Sequence, residues 1–116
     1  MDQAALQTTM QKVQNQMGDA LTYLSVVSLE TGQSLVGVYN DPRNDALIVT
    51  AFSTLAKSNE TIGDYTVIDT KDQVLSTIQN KKYVLILGFR KDKMTLGMFM
   101  DVILVKLIEE IKAVLV

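Results

Sequence analysis

The sequence contains no cysteine and no histidine among its 116 residues. Without cysteine, the chain can form no disulfide and offers neither a thiol nucleophile nor a thiolate ligand for a metal ion. Without histidine, it lacks the commonest general base at neutral pH and the commonest ligand of transition metals. We therefore expect no cofactor and no metal site, and any catalysis would have to use carboxylates, lysines, tyrosines or hydroxyl groups.

Strong charge of either sign is also missing, as is a long apolar run free of charges. The formal net charge is -2, and the basic clusters at residues 81–82 and 90–93 fall at predicted turns, so we expect no nucleic-acid partner. A membrane span needs about 20 mostly apolar residues, and residues 1–18 lack the apolar core of a signal peptide. The most apolar segment, residues 96–116, contains charged side chains at Asp101, Lys106, Glu109, Glu110 and Lys112. We expect a cytoplasmic protein with no membrane span.

A chain of this length is a domain of ordinary size, and we expect residues 1–116 to form one domain. Hydrophobic residues make up 47% of the sequence and aromatic residues 6%, so the core should consist mainly of aliphatic side chains and methionine. The order of the hydrophobic patterns predicts a helix, a hairpin, a second helix, three strands and a final helix. That order is typical of an α+β fold in which helices cover both faces of one sheet.

The first helix and hairpin have clear boundaries. Apolar residues at helical spacing predict a helix over residues 2–17, and Gly18 is suited to the left-handed conformation that ends a helix. Residues 21–29 and 34–39 read as strands, joined by a turn in which Gly32 can adopt a positive φ. Apolar residues occur at both the odd and the even positions of these strands, so they lie on both faces of the sheet. This predicts that both faces are covered. The stripe of the first helix consists of Leu6, Met10, Val13 and Met17.

The second predicted helix, residues 45–57, follows a polar segment that contains the only proline, Pro42. One apolar stripe contains Ile48, Phe52 and Leu55, and a second, offset stripe contains Leu47, Ala51 and Leu55. A helix with a single buried face needs only one such stripe. We therefore expect this helix to lie between its own sheet and another apolar surface.

The second half of the chain predicts strands at residues 65–70, 73–78 and 83–89. In the first of these, Tyr65, Val67 and Asp69 should lie on one face, and Thr66 and Ile68 on the other. The third strand is apolar at nearly every position, which favours a central place in the sheet. Thr95 should cap the final helix. Its expected buried face contains Leu96, Met100, Ile103, Leu104, Leu107, Ile108 and Ile111, widened by Met98, Val102, Val105 and Val114.

Few residues suggest chemistry. No nucleotide-binding glycine pattern is present, and Gly37 and Gly88 lie inside strands, where glycine indicates a bulge or a close approach of two backbones. The neighbouring carboxylates of Glu109 and Glu110 diverge by about 100° on a helix, so a solvated surface explains them better than an acid–base pair. The methionines around residues 94–100 fill a core or form an adaptable binding surface.

The order of elements resembles that of the roadblock/dynein light chain family. The hairpin at residues 24–38, the small-residue-rich segment 46–56, and strand 83–89 followed by the helix start at Leu96-Gly97 carry the likeness, which extends over almost the whole chain. The resemblance implies a profilin-like αββαβββα sandwich. Its five-stranded sheet, mixed or antiparallel, would have one helix on one face and two on the other.

The same resemblance implies what the protein does. Members of the family form homodimers or heterodimers with a paralogous roadblock-like subunit, and they scaffold or regulate small Ras-like GTPases or larger assemblies, usually without a catalytic residue. Their second helices pack together and their third strands pair. Carried over by position, the dimer interface would contain Leu47, Ala51, Thr54, Leu55, Tyr65, Thr66, Val67, Ile68 and Asp69.

Two other hypotheses stay open at this point. A profilin-like small-molecule sensing module would need a cavity between the sheet and the final helix, lined by Met94 and Met98. A small enzyme would have to work with carboxylates alone, which makes proton transfer near neutral pH hard to arrange.

Overall fold

The computed structural model describes residues 3–38, 65–80 and 82–115. The first helix, α1, covers Gln3–Met17 and is followed by a 3₁₀ turn, Gly18–Ala20. The predicted helix at residues 45–57, with its two apolar stripes, lies outside the described residues. The strands are β1 (Leu21–Ser28), β2 (Ser34–Val38), β3 (Tyr65–Asp69), β4 (Gln73–Gln79) and β5 (Tyr83–Arg90).

The last helical segment changes its hydrogen-bonding pattern along its length. A short α-helical turn, Leu96–Met98, leads into a π-helical stretch, Phe99–Leu104, and then into an α-helix, Val105–Val114. We refer to all three parts as the 96–114 helix. The predicted cap at its start is confirmed, because Thr95 Oγ1 accepts a hydrogen bond from the Met98 backbone N–H at 3.2 Å.

The five strands of the described residues form one sheet in the order β2-β1-β5-β4-β3, and each neighbouring pair is antiparallel. The predicted central strand is therefore confirmed as β5. Its residues are buried without interruption from Val84 to Phe89. Since successive side chains of a strand point to opposite faces, this burial confirms that both faces of the sheet are covered.

The main core lies between one face of the sheet and two helices. The predicted stripe of α1 is buried there, and it meets residues of β1, β4 and β5 as well as the inner side of the 96–114 helix. Phe89 of β5 and Phe99 of the helix are both fully buried, with ring centroids 4.6 Å apart. Two helices on this face agree with the predicted layer arrangement.

The opposite face of the sheet carries a second apolar cluster. Val27, Val84 and Ile86 are fully buried there, with Tyr23 and Leu75 packed beside them. Buried polar side chains share this face: Ser25 is a neighbour of Val27 along β1, and Thr77 stands opposite Ile86 in the ladder. This face is therefore partly polar, whereas the face beneath the two helices is mainly aliphatic.

The prediction of a widened buried face on the 96–114 helix is wrong at three positions. Met98, Val102 and Val105 are 56%, 48% and 55% exposed, respectively. The helix packs against the core on one side only, so apolar residues beyond that side face outward. The buried side consists of Phe99, Ile103, Leu104, Leu107 and Ile111. Phe99 was not expected in that face.

Glycine allows a close approach at the middle of the sheet. Between Leu21 and Tyr23 the register of β1 against β5 shifts by one residue, which leaves Thr22 as the extra residue of a bulge. A Cβ atom added to Gly88 would lie 3.1 Å from both Thr22 Oγ1 and Tyr23 Cβ. The predicted close approach at Gly88 is thus confirmed. The turns predicted at Gly18 and Gly32 are confirmed too, with φ of 52° and 75°.

Gly88 and Gly97 should respond in opposite ways to substitution by alanine. Gly88→Ala should lower the free energy of unfolding by about 1–3 kcal/mol, because the added methyl group overpacks the bulge. Gly97→Ala should raise it by about 0.4–1 kcal/mol, because its Cβ meets nothing within 4 Å and alanine favours a helix. Urea unfolding followed by circular dichroism measures both changes. The same sign for both would contradict this account of Gly88.

Candidate interaction surface

The edge strand β3 is the most open part of the sheet. It pairs with β4 on one side, and none of residues 3–38, 65–80 and 82–115 forms a strand on its other side. Two of its large apolar side chains are exposed, Tyr65 at 44% and Ile68 at 51%. An open strand edge offers unpaired backbone donors and acceptors to another chain.

The ladder between β3 and β4 shows which backbone groups point outward. The Thr70 N–H donates to the Gln73 carbonyl at 2.9 Å, which closes the turn between the two strands. Hydrogen-bonded and non-hydrogen-bonded pairs alternate along an antiparallel ladder. With the observed register, residues 66 and 68 bond to β4, and residues 65, 67 and 69 direct their N–H and C=O groups to the open edge.

Side-chain hydrogen bonds hold β3 against β4. The buried Thr77 donates from Oγ1 to Gln79 Oε1 at 2.9 Å. Since a hydroxyl group has one proton, the 2.5 Å contact between Thr66 Oγ1 and Thr77 Oγ1 has Thr66 as donor. Ser76 Oγ also donates to the Thr66 carbonyl at 3.2 Å. These bonds link the two strands at Thr66, the second residue of β3.

The far end of β3 is held by a charged pair. Lys91 Nζ lies 2.7 Å from Asp69 Oδ1 and donates to the Thr70 carbonyl at 3.0 Å. Both side chains are well exposed, so the pair contributes at most about 1 kcal/mol to stability. The pair holds the carboxylate of Asp69, the last residue of β3, next to Lys91.

The structure places five of the predicted interface residues on this strand. Tyr65, Val67 and Asp69 pair with Ile78, Ser76 and Val74, which puts them on the helix-covered face. Thr66 and Ile68 lie on the opposite face, and both face assignments agree with the sequence prediction. The other predicted interface residues, Leu47, Ala51, Thr54 and Leu55, lie outside the described residues.

The remaining candidate groups do not converge on a site. Glu110 lies 3.9 Å from Lys12 of α1, and the neighbouring Glu109 is exposed. A groove of about 200 Å³ runs between the two helices at this point.

Met98 is exposed, so it does not line the internal cavity that a sensing module would need. In the part of the chain that the structure describes, no three acidic side chains cluster as a metal site would require. The groove is lined by Lys12, Val13, Asn15, Gln16, Ile103, Lys106, Leu107 and Glu110.

None of the described helices is both long and apolar enough to cross a membrane. The expected cytoplasmic location stays a prediction.

Thr77→Val should lower the free energy of unfolding by about 1–3 kcal/mol, because it removes the partner of two hydrogen bonds, one of them to the buried Gln79. Thr66→Val is the matched control. It removes one bond at an exposed residue and leaves the Thr77–Gln79 bond intact, so a change within about 0.5 kcal/mol is expected. Urea unfolding compares the two variants. An equal loss in both would contradict the assigned direction of these hydrogen bonds.

No protein-family model and no curated protein sequence matches this chain. Solved structures match its fold. MglB of Myxococcus xanthus superimposes with a TM-score of 0.77 at 11% sequence identity, over 98% of this chain and 90% of that chain. A second MglB structure, described as having a tetrameric arrangement, matches with a TM-score of 0.60 at 15% identity, over 95% of this chain and 94% of that chain.

Two further proteins have the same architecture. A roadblock/LC7 domain from Streptomyces avermitilis matches with a TM-score of 0.55 at 12% identity, over 83% of this chain and 86% of that chain. Profilin of Schizosaccharomyces pombe matches with a TM-score of 0.55 at 8% identity, over 97% of this chain and 91% of that chain. At such identities the likeness establishes the fold alone. It confirms the predicted α+β class, and the chain has the profilin-like fold of roadblock/LC7 domains.

Proposed function

We propose that this protein is a non-catalytic, dimeric scaffold of the roadblock type, in which residues 1–116 act as one roadblock-like domain. The observation that carries the proposal is the open edge of β3, where Tyr65 and Ile68 are exposed beside backbone groups that no strand of the described residues pairs with. The tetrameric arrangement described for one MglB structure of the same fold supports self-association of such domains.

Two copies of β3 would pair as antiparallel strands around a two-fold axis. If the axis passes through Val67, each outward-facing residue meets an outward-facing residue, and all three positions 65, 67 and 69 join the ladder. Tyr65 then stands opposite Asp69 of the second copy, and Thr66 opposite Ile68. No like charges face each other, and cross-strand pairs of this kind each contribute about 0.2–1 kcal/mol.

The predicted helix 45–57 would supply the second part of the proposed dimer interface. We refer to this interface, formed by β3 and the predicted helix, as the seam. Its second stripe, with Leu47 and Ala51, would pack against the same helix of the second copy, together with Thr54 and Leu55. Pairing of the strand edges brings neighbouring elements of the two copies together, so the two contacts support each other. A paralogous roadblock-like subunit with the same edge and stripe would fit equally well.

The expected partner of the dimer is a small Ras-like GTPase or a larger protein assembly, as the family resemblance implies. Direct catalysis of GTP hydrolysis would favour an arginine whose guanidinium is free to reach the nucleotide. Arg90 is tied to Asp92 through bonds of 3.0 Å from Nε and 2.7 Å from Nη2, so this guanidinium already has a carboxylate partner. Arg43 lies outside the described residues.

Variants of the seam should dissociate the dimer. Val67→Pro removes the central outward-facing N–H and leaves the β3–β4 ladder intact. Ala51→Glu introduces a charge into the helix contact, where burial without a partner costs several kcal/mol. Each should weaken association by at least about 100-fold, measured by light scattering across a concentration series.

Matched controls separate the seam from general damage. Val67→Ala keeps the backbone N–H. Ala4→Glu adds the same charge as Ala51→Glu, but at an exposed position of α1. Both controls should have the molar mass of the wild-type dimer in light scattering. A wild-type protein that is a folded monomer at all concentrations would overturn the proposed dimer. Unchanged dimerisation in both seam variants would overturn the proposed location of its interface.

Binding to GTPases can be measured directly. Purified Ras-like GTPases from the same genome, loaded with GDP or with a non-hydrolysable GTP analogue, would be titrated into the protein by calorimetry. We expect one of them to bind with a preference for one nucleotide state, and the Val67→Pro variant to bind at least about tenfold more weakly because the dimer surface is lost. Equal binding by the monomeric variant would contradict a role for the dimer, and no binding by any of these GTPases would overturn the assigned partner class.

A further inference from the structure

The helix-covered face of β3 carries two polar groups with unused hydrogen-bonding capacity. Tyr65, at the start of the strand, is 44% exposed, and its hydroxyl group has no partner among the described residues. Asp69, at the end of the strand, binds Lys91 through Oδ1, and its Oδ2 has no partner in the same ranges. A phenol can donate to a carboxylate. Four residues of strand separate the two groups by about 13 Å, so they cannot meet within one copy.

The register of a paired β3 edge decides whether these groups meet between two copies. Residues 65, 67 and 69 direct their backbone groups to the open edge, so they must face one another for the two edges to exchange hydrogen bonds. A two-fold axis at Val67 gives all three positions a partner and places Tyr65 opposite Asp69 twice, once on each side of the axis. An axis elsewhere on β3 leaves at least one of the three positions without a partner in the strand.

We propose that the β3 edge recognises a second copy of this chain through two symmetric hydrogen bonds, in each of which the Tyr65 hydroxyl of one copy donates to the Asp69 carboxylate of the other. This inference rests on the proposed β3 dimer and specifies its partner. The axis is perpendicular to the sheet, so both side chains lie on the helix-covered face of the joined sheet. Opposite residues have Cβ atoms about 4.5–5.5 Å apart, and aromatic side chains span even the diagonal distance of about 7–8 Å.

Lys91 makes the Asp69 carboxylate suitable for burial in this contact. Its ammonium group lies 2.7 Å from Asp69 Oδ1 and donates to the Thr70 carbonyl at 3.0 Å. A carboxylate that enters an interface without a partner loses its hydration and disfavours association. Because Lys91 belongs to the same chain and binds Oδ1, the carboxylate keeps its ion pair while Oδ2 accepts the tyrosine hydroxyl. Lys91 is therefore a positioning residue of the contact.

The order of donor and acceptor along β3 selects a second copy as the partner. An isologous contact requires a surface that is complementary to itself. A donor two residues before Val67 and an acceptor two residues after it meet this requirement, and no like charges stand opposite each other. A paralogous subunit would fit as well only if it supplied a donor opposite Asp69 and an acceptor opposite Tyr65.

Removing either group should weaken the dimer. Tyr65→Phe and Asp69→Ala each abolish both symmetric hydrogen bonds, and each should weaken association by at least about tenfold, since hydrogen bonds to charged groups are the stronger kind. Lys91→Met leaves the carboxylate without its ion pair and should also weaken association, whereas Lys91→Arg should restore it. Sedimentation velocity over a concentration series measures all four variants.

Matched controls remove the same groups outside β3. Tyr83→Phe removes a tyrosine hydroxyl at the start of β5. Asp92→Ala removes an exposed carboxylate that is paired with Arg90, as Asp69 is paired with Lys91. Both controls should associate like the wild type.

A mixture of two variants tests the pairing of residues 65 and 69 directly. Tyr65→Asp places two carboxylates opposite each other in its homodimer, and Asp69→Lys removes the acceptor from its own, so each should associate at least about tenfold more weakly than the wild type. In a mixed dimer the two substituted positions form an opposite-charge pair, and the remaining Tyr65 meets the remaining Asp69. The 1:1 heterodimer should therefore be at least about tenfold tighter than either homodimer, as measured by native mass spectrometry and sedimentation velocity.

The outcomes separate this contact from the proposed dimer itself. If Tyr65→Phe and Asp69→Ala associate like the wild type while Val67→Pro dissociates the dimer, the contact is wrong and the β3 dimer stands. A mixture without preference for the heterodimer would overturn the register centred on Val67. A wild-type protein that stays monomeric would overturn the β3 dimer and this contact with it.

Discussion

The packing of a helix layer onto the central strand β5 is the constraint on which the rest of the structure depends. Phe89 of β5 and Phe99 of the 96–114 helix meet at the middle of this layer, and α1 closes it with a stripe of aliphatic and methionine side chains. Burial of apolar area, at roughly 25 cal/mol per Å², is the main source of stability for such a layer. Because β5 is the central strand, with β1 on one side and β4 on the other, β2 and β3 are the edges of the described sheet.

The consequence, for the described residues, is that exposed large apolar side chains lie on the edge strand β3 and on the outer side of the 96–114 helix. Charged side chains near the ends of β3 and β5 bind one another, as Lys91 does with Asp69 and Arg90 with Asp92. The groove between the two helices is bridged by Lys12 and Glu110. Within the described residues, the backbone edge of β3 is the surface on which the proposed partner contact depends. A strand edge suits another protein chain better than a small molecule.

The sequence predicts elements well where one physical rule dominates. The stripe of α1 is visible because a helix with one dry side has a period of 3.6 residues, and β5 is visible because burial on both faces removes the alternation. Helical periodicity fails to predict the exposure of Met98, Val102 and Val105. An apolar side chain favours burial, but its identity does not tell whether the protein's own core or another molecule buries it. Apolar residues beyond one face of a helix can be buried in the protein's own core or in an interface, and the sequence alone does not distinguish the two. The position of β3 at the edge of the sheet was predicted from the family resemblance and not from its own residues. Its short alternating pattern is compatible with an edge strand and with an inner strand.

The two edges of the sheet differ in a way that explains why β3 is the better candidate for pairing. Natural edge strands avoid unwanted association through bulges, charged side chains or proline. The register of β2 against β1 shifts at Val26 and Val27, which leaves Leu35 as an extra residue and disturbs the outer edge of β2. The ladder of β3 against β4 has no such shift, and β3 contains neither proline nor lysine. Its single carboxylate, Asp69, sits at the end and is drawn to Lys91. A regular edge of this kind is prone to pair with another chain. Within the described residues β3 has none of these protective features apart from the carboxylate at its end, which supports the proposed pairing of this edge.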